Sequence, residues 1–373
     1  PDPLLKPNDA LIEVVRIKTQ DTIRYLFYLL LPAKRQNQLQ LYVHKVDSTW
    51  EAQAQNLFEI LRSPSPHLTN AAYNLLWIFI DTLLPKNSKC LYFSPDGIYY
   101  RINPNALYNG KYFVADRYDV RYIASSRRLV TRRQRLPSHK PAVIGNPAFN
   151  QTPAEPAGVR TYRLFQSGIP PLPGAEAEAN IIAQLLGVSP VVGDSASETY
   201  VKLLSSPHIL HIATHGYFHE GTGSPLLRSG LLLAGAAVWD SLYPPPGVED
   251  GHLTAREVST LNLLGTELVV LSACETGLGD ITGEGLYGLQ RAFLEAGAQR
   301  VIATLWQIDD AATKELMSLF YQHWTSSNQP RKKHLPKPAE SDTALDTAFT
   351  KALRLFRQRY KEPYYWGAFI LMR

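Results

Sequence analysis

Cysteine is scarce in this chain. There are two in 373 residues, Cys90 and Cys274. Two thiols build no disulfide framework, and such usage suits a reducing, cytoplasmic compartment. Long apolar runs are also lacking. The run "LLWIFIDTLL" (75–84) falls well short of the roughly 18 residues that a membrane span needs, and it carries Asp81. Neither a transmembrane helix nor a signal peptide is expected. No His/Cys/Asp cluster has metal-ligand spacing, so no metal or cofactor is expected. Excess charge is modest at +5. Much of it lies in two runs, 127–135 and 331–338, where a nucleic-acid binder would spread a basic stripe over a recognisable module. These runs read as solvated segments, and direct nucleic-acid binding is not expected. The first residue is Pro1 rather than methionine, which points to a fragment with a partner domain ahead of it.

What the chain does have is rhythm. Its first part, taken as residues 1–136, is β-rich. "ALIEVVRIKT", "TIRYLFYLLLP" and "QLQLYVHKV" read as strands separated by turns. "AYNLLWIFIDTLLP" has helical spacing and stops at Pro85. "CLYFSPDGIYYRINPNAL" reads as two strands around a Pro-Asp-Gly turn. From residue 137 to 373 strands alternate with helices: "AVIGNPAF", "GAEAEANIIAQLLG", "SPVVGD", "SASETYVKLLSS", "HILHIATHG", "ELVVLSAC", "GLYGLQRAFLEAGA" and "RVIATLW". Ser195 or Ser197 is the expected N-cap of the "ETYVKLL" helix. Two more helices follow, and "YYWGAFILM" closes the chain as a strand. Near-continuous apolar strands in α/β alternation predict a mostly parallel sheet covered by helices on both faces. Residues 325–342 are polar and basic and read as a mobile loop.

In such sheets chemistry gathers beyond the carboxyl ends of the strands. Those ends carry Thr214, His215 and Gly216, then Ala273, Cys274 and Glu275, then Gln307, Asp309 and Asp310. A thiol and an imidazole at one sheet edge make a nucleophile–base pair, because the thiolate is the reactive form and the imidazole takes its proton. The amides of Gly216 and Cys274 lie where ladder partners run out, which suits an oxyanion hole. His211, inside its strand, reads as a core residue.

Here the motifs resemble a family. "ATHGYF", "DGHLTAREV", "LSACETGLGD" and "GEGLYGLQRAFLEAGAQRVIATLWQIDDAAT" are similar to the CHAT domain, a caspase-like module associated with tetratricopeptide repeats. "SPDGIYYRINPNAL", "YDVRYIASSRRL" and "LPGAEAEANIIAQLLG" extend the likeness over nearly the whole chain. The resemblance implies a caspase-like (clan CD) fold, with residues 1–136 a structural or pseudo-caspase-like part. It also implies hydrolysis of peptide bonds in a protein substrate, with Cys274 as nucleophile and His215 as general base. The segment "LWQIDD" resembles a strand end of separase, a clan relative that cuts after arginine. By that likeness Asp310, with Asp309 beside it, lines a specificity pocket for Arg or Lys. Glu275 is a further candidate substrate contact. Asp309 or Asp310 can equally cap the following helix. Control by a regulatory protein or an N-terminal repeat domain is expected, and "LLRSG" (226–230) and "PRKKHLPK" (330–337) are candidate self-cleavage segments.

Two other readings remain. "GEGLYG" (283–288) fits G-x-G-x-x-G, with acidic residues further on, as a nucleotide-binding fold would have. It does not follow directly off a strand, however. The other is a catalytically silent interaction scaffold on a caspase-like fold.

Overall fold

A computed structural model describes residues 5–19, 22–32, 38–62, 69–130, 137–150, 168–238, 249–282, 285–327 and 338–373. Most of both basic runs, residues 328–337 and Gly283–Glu284 of the glycine motif therefore lie outside the described residues; the two ends of the expected 325–342 loop are helical instead, in Asp310–Ser327 and Pro338–Arg359. The chain divides into two compact units. One comprises residues 1–134, 281–286 and 357–373; the other comprises 135–280 and 287–356.

In the first unit, β1 (Asp9–Lys18), β2 (Ile23–Leu31) and β3 (Gln38–Val46) form an antiparallel meander. Alternation along β2 turns Tyr25, Phe27 and Leu29 inward. They meet Trp50 of the Ser48–Leu61 helix and Phe79 of the helical run 69–83: the Tyr25–Trp50 and Phe27–Phe79 ring centres are 5.4 and 5.3 Å apart. β4 (Cys90–Ser94) pairs in parallel with β1, and β5 (Asp119–Tyr122) with β4. The last strand of the chain, Phe369–Met372, pairs in parallel with β5. One local expectation fails here. The segment after the Pro-Asp-Gly turn is not a strand; Gly97–Arg101 forms a 3₁₀ helix. Asp96 accepts from the amides of Gly97 and Arg16, and Gly97 takes a left-handed φ of +58°. That turns the chain inward and buries Tyr99, whose hydroxyl donates to the Leu76 carbonyl at 2.8 Å.

The second unit holds β6 (Ala142–Pro147), β7 (Val191–Gly193), β8 (Ile209–Ala213), β9 (Gly216–Phe218), β10 (Ser229–Leu232), β11 (His252–Thr254), β12 (Leu268–Ser272), β13 (Gly279–Thr282, partly in the first unit), β14 (Gly285–Gly288, likewise) and β15 (Val301–Thr304). Its parallel strands run in the order β15-β12-β8-β6-β7. Every residue of β8 is buried, because helices cover both faces. The Pro173–Leu186 helix packs against β6 and β8. It begins on Pro173 and stops at Gly187, whose left-handed φ of +69° lets its amide reach the Ala183 and Gln184 carbonyls. Ser197 supplies the cap of the Glu198–Leu203 helix. β9, β10 and β11 make a small antiparallel sheet beyond β8. The outcome is the mixed α/β architecture that the alternation implied.

Strand order locates the site. After β6 the chain moves outward to β7; after β8 it moves the other way, to β12 and β15. That reversal falls between β6 and β8, and a cavity lies on the β8 side of it, at the carboxyl ends of β8, β12 and β15.

Candidate active site

His215 lies two residues beyond β8 and Cys274 two beyond β12. Ser272 is in register with Ala213, so His215 and Cys274 each follow a matching strand end by two residues. Both line one cavity of about 160 Å³, together with Leu172, Glu178, Thr214, Trp306, Ile308 and Asp310.

The His215 backbone is fixed first. Its carbonyl accepts from the Leu232 amide at 2.9 Å, and the neighbouring Thr214 hydroxyl donates to the Leu232 carbonyl. The imidazole packs against Phe149, ring centres 5.2 Å apart. Nε2 lies 2.9 Å from the Pro170 carbonyl oxygen. A carbonyl only accepts, so Nε2 carries the proton, and in the neutral ring Nδ1 keeps the free lone pair.

Cys274 sits in a turn that is pinned on both sides. The Thr304 hydroxyl donates to the Ala273 carbonyl at 2.6 Å, the Gly277 amide donates to the Thr304 carbonyl at 2.8 Å, and Gln290 reaches the Gly277 carbonyl at 3.1 Å. Glu275 takes a left-handed φ of +58°, a conformation that costs a non-glycine residue about 1–2 kcal/mol. Gly277 and Gly279 make close backbone approaches, to Thr304 and to Tyr287.

Cys274 is half-buried. Burial pushes the Cys274 thiol up to about 11; the Ile308 amide donates to the sulfur and opposes this, while the Asp310 and Glu275 carboxylates add to it. In this state Cys274 is a thiol at neutral pH. Cys90 is held up to about 12 by burial and lies in β4 of the first unit.

Gly216 touches the same turn. A Cβ on it would lie 2.6 Å from the Cys274 carbonyl oxygen. His219 donates to Arg228 and Leu232 to His215 across the β9–β10 ladder. Bonded pairs alternate in an antiparallel ladder, so the Gly216–Leu231 pair is a non-bonded one. The Gly216 amide therefore points away from β10.

The three acidic candidates separate. Asp310 lines the cavity. Asp309 caps the Asp310–Ser327 helix, accepting from the Ala312 amide at 3.0 Å. Asp309 and Glu275 are not among the cavity's lining residues. Contrary to expectation a strand, β13, runs up to the glycine motif, but Gly285–Gly288 is itself an extended strand, β14, and the helix begins only at Leu289, which removes the context a dinucleotide fingerprint needs.

Comparison with known sequences decides the family. The sequence profile of the CHAT domain matches residues 51–373. This chain belongs to the CHAT domain family. Tetratricopeptide repeat protein 28 of Mus musculus and of Homo sapiens are 32% and 31% identical to it over 204 residues. Each match takes in 48% of this chain and only 8% of the relative. Among solved structures it is similar to the separase–securin complex of Saccharomyces cerevisiae, with a TM-score of 0.50 at 10% identity over 98% of this chain and 30% of that one. It is also similar to the Arg-specific cysteine proteinase gingipain R, with a TM-score of 0.47 at 10% identity over 87% and 74% of the two chains. The fold is caspase-like. Among the described residues of this CHAT domain no helix is long and apolar enough to cross a membrane.

Three features of the CHAT domain escaped sequence reasoning. Pro170 contributes only a carbonyl, which every residue has, so no sequence signal marks it. Glu178 does leave a trace: it falls within the buried stripe of Ala175, Ala179, Ile182 and Ala183. Arg228 was read as a loop residue open to cleavage. Instead it is 14% exposed, ion-paired with Asp280 and bonded to the His219 carbonyl, and the next residues form β10 between two partner strands. Elsewhere the carboxylates of Glu198, Glu249 and Glu257 converge within metal-ligand reach of one another. The Lys202 ammonium stands among them, 2.6, 2.6 and 2.9 Å away.

Proposed function

We propose that this CHAT domain is a cysteine endopeptidase working through Cys274 and His215. The observation that carries the reading is the shared cavity at the carboxyl ends of β8, β12 and β15, with thiol and imidazole at matching strand ends. Nδ1 of His215 takes the thiol proton, and the sulfur attacks the substrate carbonyl. The amides of Gly216 and Cys274 receive the oxyanion. The tetrahedral adduct collapses to a thioester, and the imidazolium returns its proton to the leaving amine. Water, deprotonated by His215, then releases the acid and restores the thiol.

Asp310, a solvent-exposed carboxylate that lines the cavity, favours a basic P1 side chain, Arg or Lys. A bound cation also relieves the thiol of the Asp310 charge, so substrate helps to form its own nucleophile. Restraint by a partner, such as a tetratricopeptide-type domain, fits a site that rests as a thiol. So does action in the cytoplasm, where proteolysis needs restraint.

One observation favours a second reading, a silent scaffold: Cys274 is half-buried and its resting thiol is held above its ordinary range. A peptide library incubated with the chain and read by mass spectrometry separates the two. The peptidase reading expects cuts after Arg or Lys that vanish in Cys274→Ala. Cuts indifferent to Arg and Lys remove the P1 assignment, and cuts that survive Cys274→Ala remove the nucleophile.

A further inference from the structure

The cavity holds a second carboxylate that the dyad does not use. Glu178 is 2% exposed and lines the cavity with Cys274, His215 and Asp310. Behind it, Oε1 lies 3.0 Å from Nε2 of the fully buried His211, whose Nδ1 is 3.3 Å from the Tyr321 hydroxyl. The His211 contact is close but off the hydrogen-bonding line, and among the described residues Oε1 of Glu178 receives no aligned hydrogen bond. A carboxylate withdrawn from water without aligned donors is costly, and it strongly favours any ligand that supplies them.

Asp310 stands close by on the same helix face. A Cβ on Gly174 would lie 2.9 Å from the Asp310 Cβ. Gly174 and Glu178 are four residues apart, so they share a face of the Pro173–Leu186 helix with a rise between them of about 6 Å. The two carboxylates feel each other: after burial and Asp309, Glu178 helps to hold the Asp310 carboxyl above its usual range.

An ammonium is a compact point charge that one carboxylate and water satisfy. A guanidinium is planar and donates from several edges, so it can engage two carboxylates at once. We propose that Glu178 and Asp310 form a two-carboxylate cup that selects a guanidinium over an ammonium, making arginine rather than lysine the side chain the cavity takes. His211, with Tyr321 beside its other ring nitrogen, packs behind Glu178. For a peptide substrate the proposal rests on the peptidase reading, but the cup itself is tested without turnover.

The test is protection of Cys274 in the full chain. Alkylation by iodoacetamide at pH 9 is followed by mass spectrometry in the presence of butylguanidine or pentylamine. Butylguanidine is expected to protect at concentrations at least about tenfold below pentylamine, the scale of a charge-assisted hydrogen bond. The preference is expected to vanish in Glu178→Gln, and protection by either cation in Asp310→Asn. Equal protection of the wild type by both cations overturns the proposal, as does a preference retained in a folded Glu178→Gln. If that variant does not fold, the wild-type comparison still decides. Peptide cleavage separates the two readings. Guanidine-selective protection without turnover keeps the cup and removes the peptidase, whereas turnover with equal use of Arg and Lys does the reverse.

Discussion

Nε2 of His215 lies 2.9 Å from the carbonyl oxygen of Pro170. That contact fixes which imidazole nitrogen can act, because the one facing a carbonyl must carry its proton. Removing the base is therefore expected to cost more than removing a generic polar contact. His215→Ala should lower kcat/KM on a cleavable peptide by about 10²–10⁴-fold, the usual contribution of general acid–base catalysis, with little change in thermal unfolding. Steady-state kinetics on the folded variant check it.

The pH dependence of Cys274 follows from its surroundings. The folded thiol titrates near 11, above the unperturbed value of 9.0, so thiolate is scarce at neutral pH and alkylation by a neutral reagent should keep rising through pH 10. Asp310→Asn removes one of the charges that hold the thiol up. It should shift the alkylation profile to lower pH while slowing cleavage after basic residues. The folded state keeps this proton that the unfolded chain releases, so the contribution of Cys274 to stability is present below about pH 9 and is lost as pH rises through 11. Alkylation rates and denaturant midpoints between pH 7 and 11 check both signs.

Gly216 has room for no side chain. Gly216→Ala would drive a methyl into the Cys274 carbonyl. The strain should cost about 1–3 kcal/mol and displace the oxyanion donors, so activity should fall much further than stability. Denaturant unfolding and peptide kinetics on the same variant measure the two separately.

Arg228 joins the segments that follow each dyad residue, bonding the His219 carbonyl and pairing with Asp280. Arg228→Ala leaves the Asp280 carboxylate without its partner and should destabilise the fold by about 2 kcal/mol. Because both segments loosen, limited proteolysis near residues 219 and 280 should accelerate. Peptide mapping of the digests checks the location.

Much of this was legible in the sequence because it rests on pattern. Continuous apolar runs such as "HILHIA" and "LVVLS" announce strands buried on both faces, and their ends announce where His215 and Cys274 lie. The register of β8 and β12 then brings those ends together. The failures are where tertiary contacts override local signals. Asp96 bonds to Arg16, far away in sequence, and so turns Gly97–Arg101 into a 3₁₀ helix rather than a strand. Arg228 looked like a free basic residue until Asp280 held it. Pro170 acts through its backbone, which composition does not encode. Glu178 was a charged residue inside an apolar helix stripe, a signal that is readable once that helix is known to face the site.

The most direct test of the central claim is covalent labelling by an acyloxymethyl ketone with a basic P1 group. The account predicts that the probe modifies Cys274, that labelling persists in Cys90→Ala, and that it is lost in Cys274→Ala and in His215→Ala. Equal labelling of both cysteines, or labelling of Cys274 that does not depend on His215, would contradict it.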